Sequence, residues 1–197
     1  MQCGNGNGAV FPADTDCRVF LEILANYSAR YGLSIAAYCL LKDRYHLIAF
    51  PTRQETAARV FACVHADYAR YFHLAHNATG HLWQSRYDSA PMDDPNCWRA
   101  VAWVERTPVG CGLARTAEYY PWSSAAARLG LITAPKWLEL ERWRKAWSRE
   151  LWRAHLRDRP EDAVFGAQLL EATRSGRVLG TIKTDQAFTT AAAATHS

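Results

Sequence analysis

The chain has 197 residues, 49% hydrophobic and 21% charged, a balance that suits one compact domain plus an appendage and excludes wholesale disorder. A net charge of +4 is mildly basic, compatible with a nucleic-acid partner but too small to demand one. The six cysteines (Cys3, Cys17, Cys39, Cys63, Cys97, Cys111) include no Cys-x-x-Cys pair, which points to free thiols in a reducing cytosol and away from zinc. No signal peptide opens the chain and no apolar run has membrane-spanning length, so the expectation is a cytoplasmic protein without a membrane partner.

Residues 1–13 are Gly/Asn-rich and read as a loop. A helix follows at 14–31, with Asp14 or Thr15 able to cap it, Val19, Phe20, Ile23, Leu24, Tyr27 and Tyr31 at helical spacing, and Gly32 to end it. Residues 33–41 read as a buried strand, Lys42-Asp43 as a tight turn and 44–50 as the hairpin partner. A second long helix covers 54–75, with Val60, Phe61, Val64, Tyr68 and Phe72 on one stripe. Asn77 to Gly80 is a turn, 81–90 alternates as a strand, and a short helix covers 94–106. This order predicts an α+β fold: a ferredoxin-like antiparallel sheet with helices on one face. Only Met1-Gln2-Cys3 precede Gly4, so the first strand of such a sheet has no counterpart.

The sequence divides into a domain at 1–130 and a basic, Trp-rich helical extension at 131–197. A single helix is predicted at 136–158, ending before Pro160. Its eight basic residues against four acidic ones, counting Arg159 just beyond its end, give an excess equal to the net charge of the whole chain. Leu140, Trp143, Trp147, Leu151 and Ala154 would share an apolar docking face. Arg142, Arg149 and Arg153 would share another, either a DNA-backbone stripe or a solvated basic face. Helices at 161–174 and 183–191 follow, and the last residues are expected to fray.

Within the hairpin, Arg44-Tyr45-His46 is close to a metal motif. A histidine at 44 would put two imidazoles on one strand face, ready to share an ion. The arginine leaves two readings, a guanidinium–imidazole phosphate clamp or an idle surface. His46 alone is a weak metal ligand. His65, His73, His76 and His81 read as surface histidines rather than a metal cluster.

Several segments together resemble the REP-associated tyrosine transposases, a branch of the IS200-like single-strand transposases. Gly4-Asn5 with Ala9-Val10-Phe11 is similar to their opening loop, and Ala37 to Leu40 through His46-Leu47-Ile48 to their metal hairpin. Thr79-Gly80-His81-Leu82-Trp83-Gln84-Ser85-Arg86-Tyr87 resembles their Gly-His-Leu-Trp-Gln-x-Arg-aromatic strand. Pro108-Val109, Gly112-Leu113 and Tyr120-Pro121-Trp122-Ser123-Ser124 resemble the segment after their catalytic helix, and Thr173 to Gly180 a C-terminal turn. The resemblance implies cleavage and rejoining of single-stranded DNA beside hairpins by a tyrosine nucleophile and a divalent metal.

Four positions carry that implied chemistry, and three depart from it. Arg44 stands for the first metal histidine and would repel a cation; Trp103 stands for the tyrosine and has no hydroxyl; Thr107 stands for a metal-binding asparagine. His46 alone is kept. The leading expectation is therefore a DNA-binding protein that reads hairpin or single-stranded DNA, inactive for nicking and without a cofactor, with Arg44, His46, Arg86, Arg142, Arg149 and Arg153 as candidate DNA contacts. Trp103 would be either a core residue or a stacking platform for an unpaired base. An active transposase using Tyr87, Tyr119 or Tyr120 with magnesium or another divalent ion is one alternative. A protein-interaction module built on the Trp-rich extension is another.

Overall fold

The computed structural model describes residues 1–157, 161–181 and 190–191. Its centre is an antiparallel hairpin of β2 (Leu33–Leu41) and β3 (Arg44–Pro51), closed by Lys42-Asp43, with Leu41 opposite Arg44 and Cys39 opposite His46. A bulge between Ile35 and Ala37 shifts the register. The hairpin is buried almost throughout because helices cover both its faces.

The first face holds Ile35, Tyr38, Leu40, Tyr45 and Leu47. It packs on Cys17, Phe20 and Leu24 of α1 (Asp14–Tyr31) and on Val60, Phe61, Val64 and Tyr68 of α2 (Thr56–His76). The α2 stripe read from the sequence is buried here, as are Phe20 and Leu24 of the α1 stripe with Cys17 in addition, while Val19, Ile23, Tyr27 and Tyr31 are half-buried at its border. Ala13 caps α1, its N–H donating to the Asp16 carboxylate at 2.8 Å, and Gly32 ends it in the left-handed region at φ 77°.

The opposite face carries Ala37, Cys39, Leu41, Ile48 and Phe50. It packs on Val101 and Val104 of α3 (Asp94–Gly110) and on side chains from beyond residue 131. The expectation of helices on one face is therefore corrected. The strands are apolar at both parities, which leaves two faces to cover, and α3 with the extension covers the second.

The first-strand position is filled by β1 (Gln2–Cys3), which pairs with β3. Its other edge meets residues 82–88: Gln84 N–H donates to Cys3 O at 3.1 Å and Asp88 N–H to Met1 O at 2.9 Å. The predicted 81–90 strand reduces to a bridge at Trp83 and to β4 (Ala90–Pro91). Two residues of β1 are too few to template a ladder, and the Gln2 side chain takes Ser85 O at 2.9 Å in place of a backbone donor.

After α4 (Ala125–Arg128) the predicted helix 136–158 is two helices, α5 (Glu141–Ala146) and α6 (Arg149–His155). Trp147 between them is extended, and the Ser148 hydroxyl caps α6 by accepting from Leu151 N–H. The break changes the phase of the buried side. Trp143, Trp152 and Leu156 are buried, whereas Leu151 and Ala154 of the predicted docking face are exposed. α7 (Glu161–Ser175) adds Phe165 and Leu169 to the same core. Of the helix expected at 183–191, residues 183–189 lie outside the described residues. Thr190 and Ala191 form β5 (Thr190–Ala191), which pairs with β4. The expected fraying at 195–197 also lies outside them.

Candidate functional site

Alternation along β3 places Arg44, His46 and Ile48 toward α3. Arg44 opens the strand at the surface, where its Nε donates to both Asp43 carboxylate oxygens at 3.0 and 3.1 Å and its Nη2 to Oδ2 at 2.5 Å. These bonds hold the Asp43 carboxyl below the usual carboxylate range and raise the guanidinium pKa. Both side chains are about one-third exposed, so a phosphate could displace the pair at a cost of about 0–1 kcal/mol.

His46 is only 6% exposed. Its ring meets the edge of Trp103 at 5.0 Å between centroids, beside a void lined by Leu169 and Thr173 of α7. Burial lowers its pKa to about 3, so the imidazole is neutral. Arg44 and His46 share a strand face but not an environment: the guanidinium borders solvent and the imidazole is sealed.

The burial has a measurable consequence. The unfolded chain takes up the histidine proton near pH 6.5 and the folded chain only near 3, so stability is complete above pH 6.5 and falls as the pH drops between those values. Urea unfolding at pH 7.5 and 5.0 should give up to about 1.4 kcal/mol lost per pH unit through this residue in the lower part of that window. Burial also lowers the His65 pKa to about 3, so His46→Leu should remove about half of the slope and leave the His65 share, and an unchanged slope would sink the assignment.

Trp103 lies between His46 and α7. A Cβ added to Gly166 would stand 2.4 Å from Trp103 Nε1, so the glycine lets α7 press on the indole. The Thr107 hydroxyl donates to Trp103 O at 2.9 Å, one helical turn back. Trp103 and Thr107 border a cleft of about 370 Å3 with Arg106, Cys111, Leu156 and Ala163. The indole is thus largely a packing residue with one side on a cleft.

Arg86 is exposed beside β1. The Arg142 guanidinium lies 4.0 Å from the centroid of the Phe50 ring, and Arg153 Nε is 3.8 Å from Glu118. Arg149 rests on Gly130. Because the helix breaks at Trp147, Arg142 does not continue the face of Arg149 and Arg153, and the predicted single stripe is corrected. Among the alternative tyrosines, Tyr120 donates to Leu40 O at 2.7 Å and Tyr87 packs on Phe61, while Tyr119 is exposed. His65 bonds Tyr45 and His76 bonds Asp16, and among the described residues no group of three or more His, Cys, Asp or Glu could hold a metal. No described helix is long and apolar enough to cross a membrane.

One cluster went unread in the sequence. Glu105 is fully buried on α3 and accepts from Arg128 Nε at 2.8 Å, Ser124 Oγ at 2.6 Å and Trp152 Nε1 at 2.9 Å. Its signal was a carboxylate on the apolar side of a helix, one turn beyond Val101. No family model, curated protein or solved structure matches the chain.

Proposed function

We propose that the chain is a relative of the REP-associated tyrosine transposases that binds hairpin or single-stranded DNA and has lost the nicking reaction. One observation carries the reading: Arg44 and His46 share the β3 face that Trp103 covers, with the His46 and Trp103 rings 5.0 Å apart. Those are the positions to which the resemblance assigns two metal ligands and a nucleophile. Here they hold a guanidinium that repels a metal ion, an indole with no hydroxyl to attack phosphorus, and a single imidazole sealed from solvent. What remains suits binding: Arg44 tied to a half-buried neighbour, a cleft beside Trp103, and exposed Arg86 and Arg142.

The test is a labelled single-stranded hairpin, taken from repeats flanking the gene, titrated across salt. Binding should weaken steeply with salt and favour hairpin over unstructured strand, and Arg86→Ala should lower the log–log salt slope by about one. No binding at low salt sinks the reading. A cleaved strand covalently joined to a tyrosine would instead establish the active alternative.

A further inference from the structure

A second cleft opens between the turn after α4 and the helices α5 and α6. Its volume is about 660 Å3, in the range of small-molecule sites. Arg128, Arg144 and Arg149 line it, and among the described residues no carboxylate does.

Two of its lining residues carry a buried donor without an acceptor among the described residues. Arg128 is 2% exposed; its Nε serves Glu105 and its Nη2 serves Ala36 O, but Nη1 has no partner among the described residues. Trp143 is 4% exposed, and its Nε1 likewise has none. Buried N–H groups are nearly always paired, so these two are strained in place, and both are closed to solvent and to any ligand in the cleft unless their side chains shift. Glu105 neutralises Arg128, so this wall adds no net charge to the cleft.

The rim contributes the charge. Arg149 is exposed, makes no ion pair among the described residues, and lies so close to Gly130 that a Cβ there would stand 2.6 Å from its Cζ. Arg144 is tied only to exposed Glu141, at 2.6 Å, a pair that a doubly charged oxyanion can outcompete. Leu131 and Ile132, which also line the cleft, are each 52% exposed and present an apolar surface.

We propose that this cleft binds a nucleotide, its phosphate held by Arg149 and Arg144 and its base against Leu131 and Ile132. A free mononucleotide and the phosphorylated end of a single strand offer the same chemistry. The cleft stands on observations separate from the DNA-binding reading.

The experiment is calorimetric titration of the full chain with inorganic phosphate, adenosine 5′-monophosphate, and tetrathymidylate with and without a 5′-phosphate. The mononucleotide should bind saturably and more tightly than inorganic phosphate. Arg149→Ala should weaken it about tenfold with no change in the melting midpoint, and Arg149→Lys should recover part of the loss. Arg70→Ala, on α2 and far from the cleft, should leave it unchanged. A 5′-phosphorylated strand that outcompetes the mononucleotide identifies a strand end as the source; equal affinities identify the free nucleotide. The proposal is overturned if none of the probes binds saturably, or if both Arg149→Ala and Arg144→Ala bind the mononucleotide like the parent. Hairpin binding that persists without nucleotide binding overturns the cleft alone. Nucleotide binding without hairpin binding supports the cleft and removes the DNA reading.

Discussion

Glu105→Ala should cost about 3–5 kcal/mol, more than any surface change in this chain, because it strands Arg128 as an uncompensated charge inside the protein. Both side chains of the pair are fully buried. The same carboxylate also accepts from Ser124 and Trp152, so its loss leaves three donors unpaired at once. For a chain of this size the melting midpoint should fall by roughly 10 °C. Replacing Glu105 and Arg128 together with leucine and methionine should cost much less than the two single changes summed, since no lone charge then remains. A loss below about 1 kcal/mol for Glu105→Ala, measured by urea unfolding, would mean that water or another group satisfies Arg128.

Trp152→Ala should cost a similar amount, about 3–5 kcal/mol, from the cavity left by a fully buried indole. Trp152 is 0% exposed, edge-on to Trp98, Trp143 and Trp147. It sits in the extension yet packs on the sheet face that carries Cys39 and Ile48. The loss should therefore appear as a single cooperative transition shifted downward. A separate low-temperature melting of the extension, with the remainder of the chain unaffected, would refute the shared core. The Trp152 and Glu105 changes touch across a hydrogen bond of 2.9 Å, so their costs should not add.

The helices and the hairpin were legible because periodicity carried them. Phe20 and Leu24, Val60 and Val64, and the alternation through Tyr45 and Leu47 each fix a face with local information alone. The second sheet face was not legible. Ala36, Ala37 and Cys39 are small, and nothing local says that tryptophans more than a hundred residues later will cover them. The break at Trp147-Ser148 escaped for a related reason: serine is tolerated inside helices, and its capping role emerges only when Trp143 and Trp152 must both reach the core. At the candidate site, the identities of Arg44, His46 and Trp103 could be read directly. That one is solvated and the next sealed depends on where α7 lies.

The position of β1 also bears on how the chain reaches its native state. Residues Met1 to Cys3 stand between β3 and the 82–88 segment, and the bond from Gln2 to Ser85 spans 83 residues of sequence. Loop-closure entropy makes such a contact slow to form, whereas the β2–β3 hairpin closes over two residues. Residues 1 to 3 must therefore wait for residue 88 before the sheet is complete. Until then the free edge of β3 is open to other strands, and aggregation during synthesis would begin there.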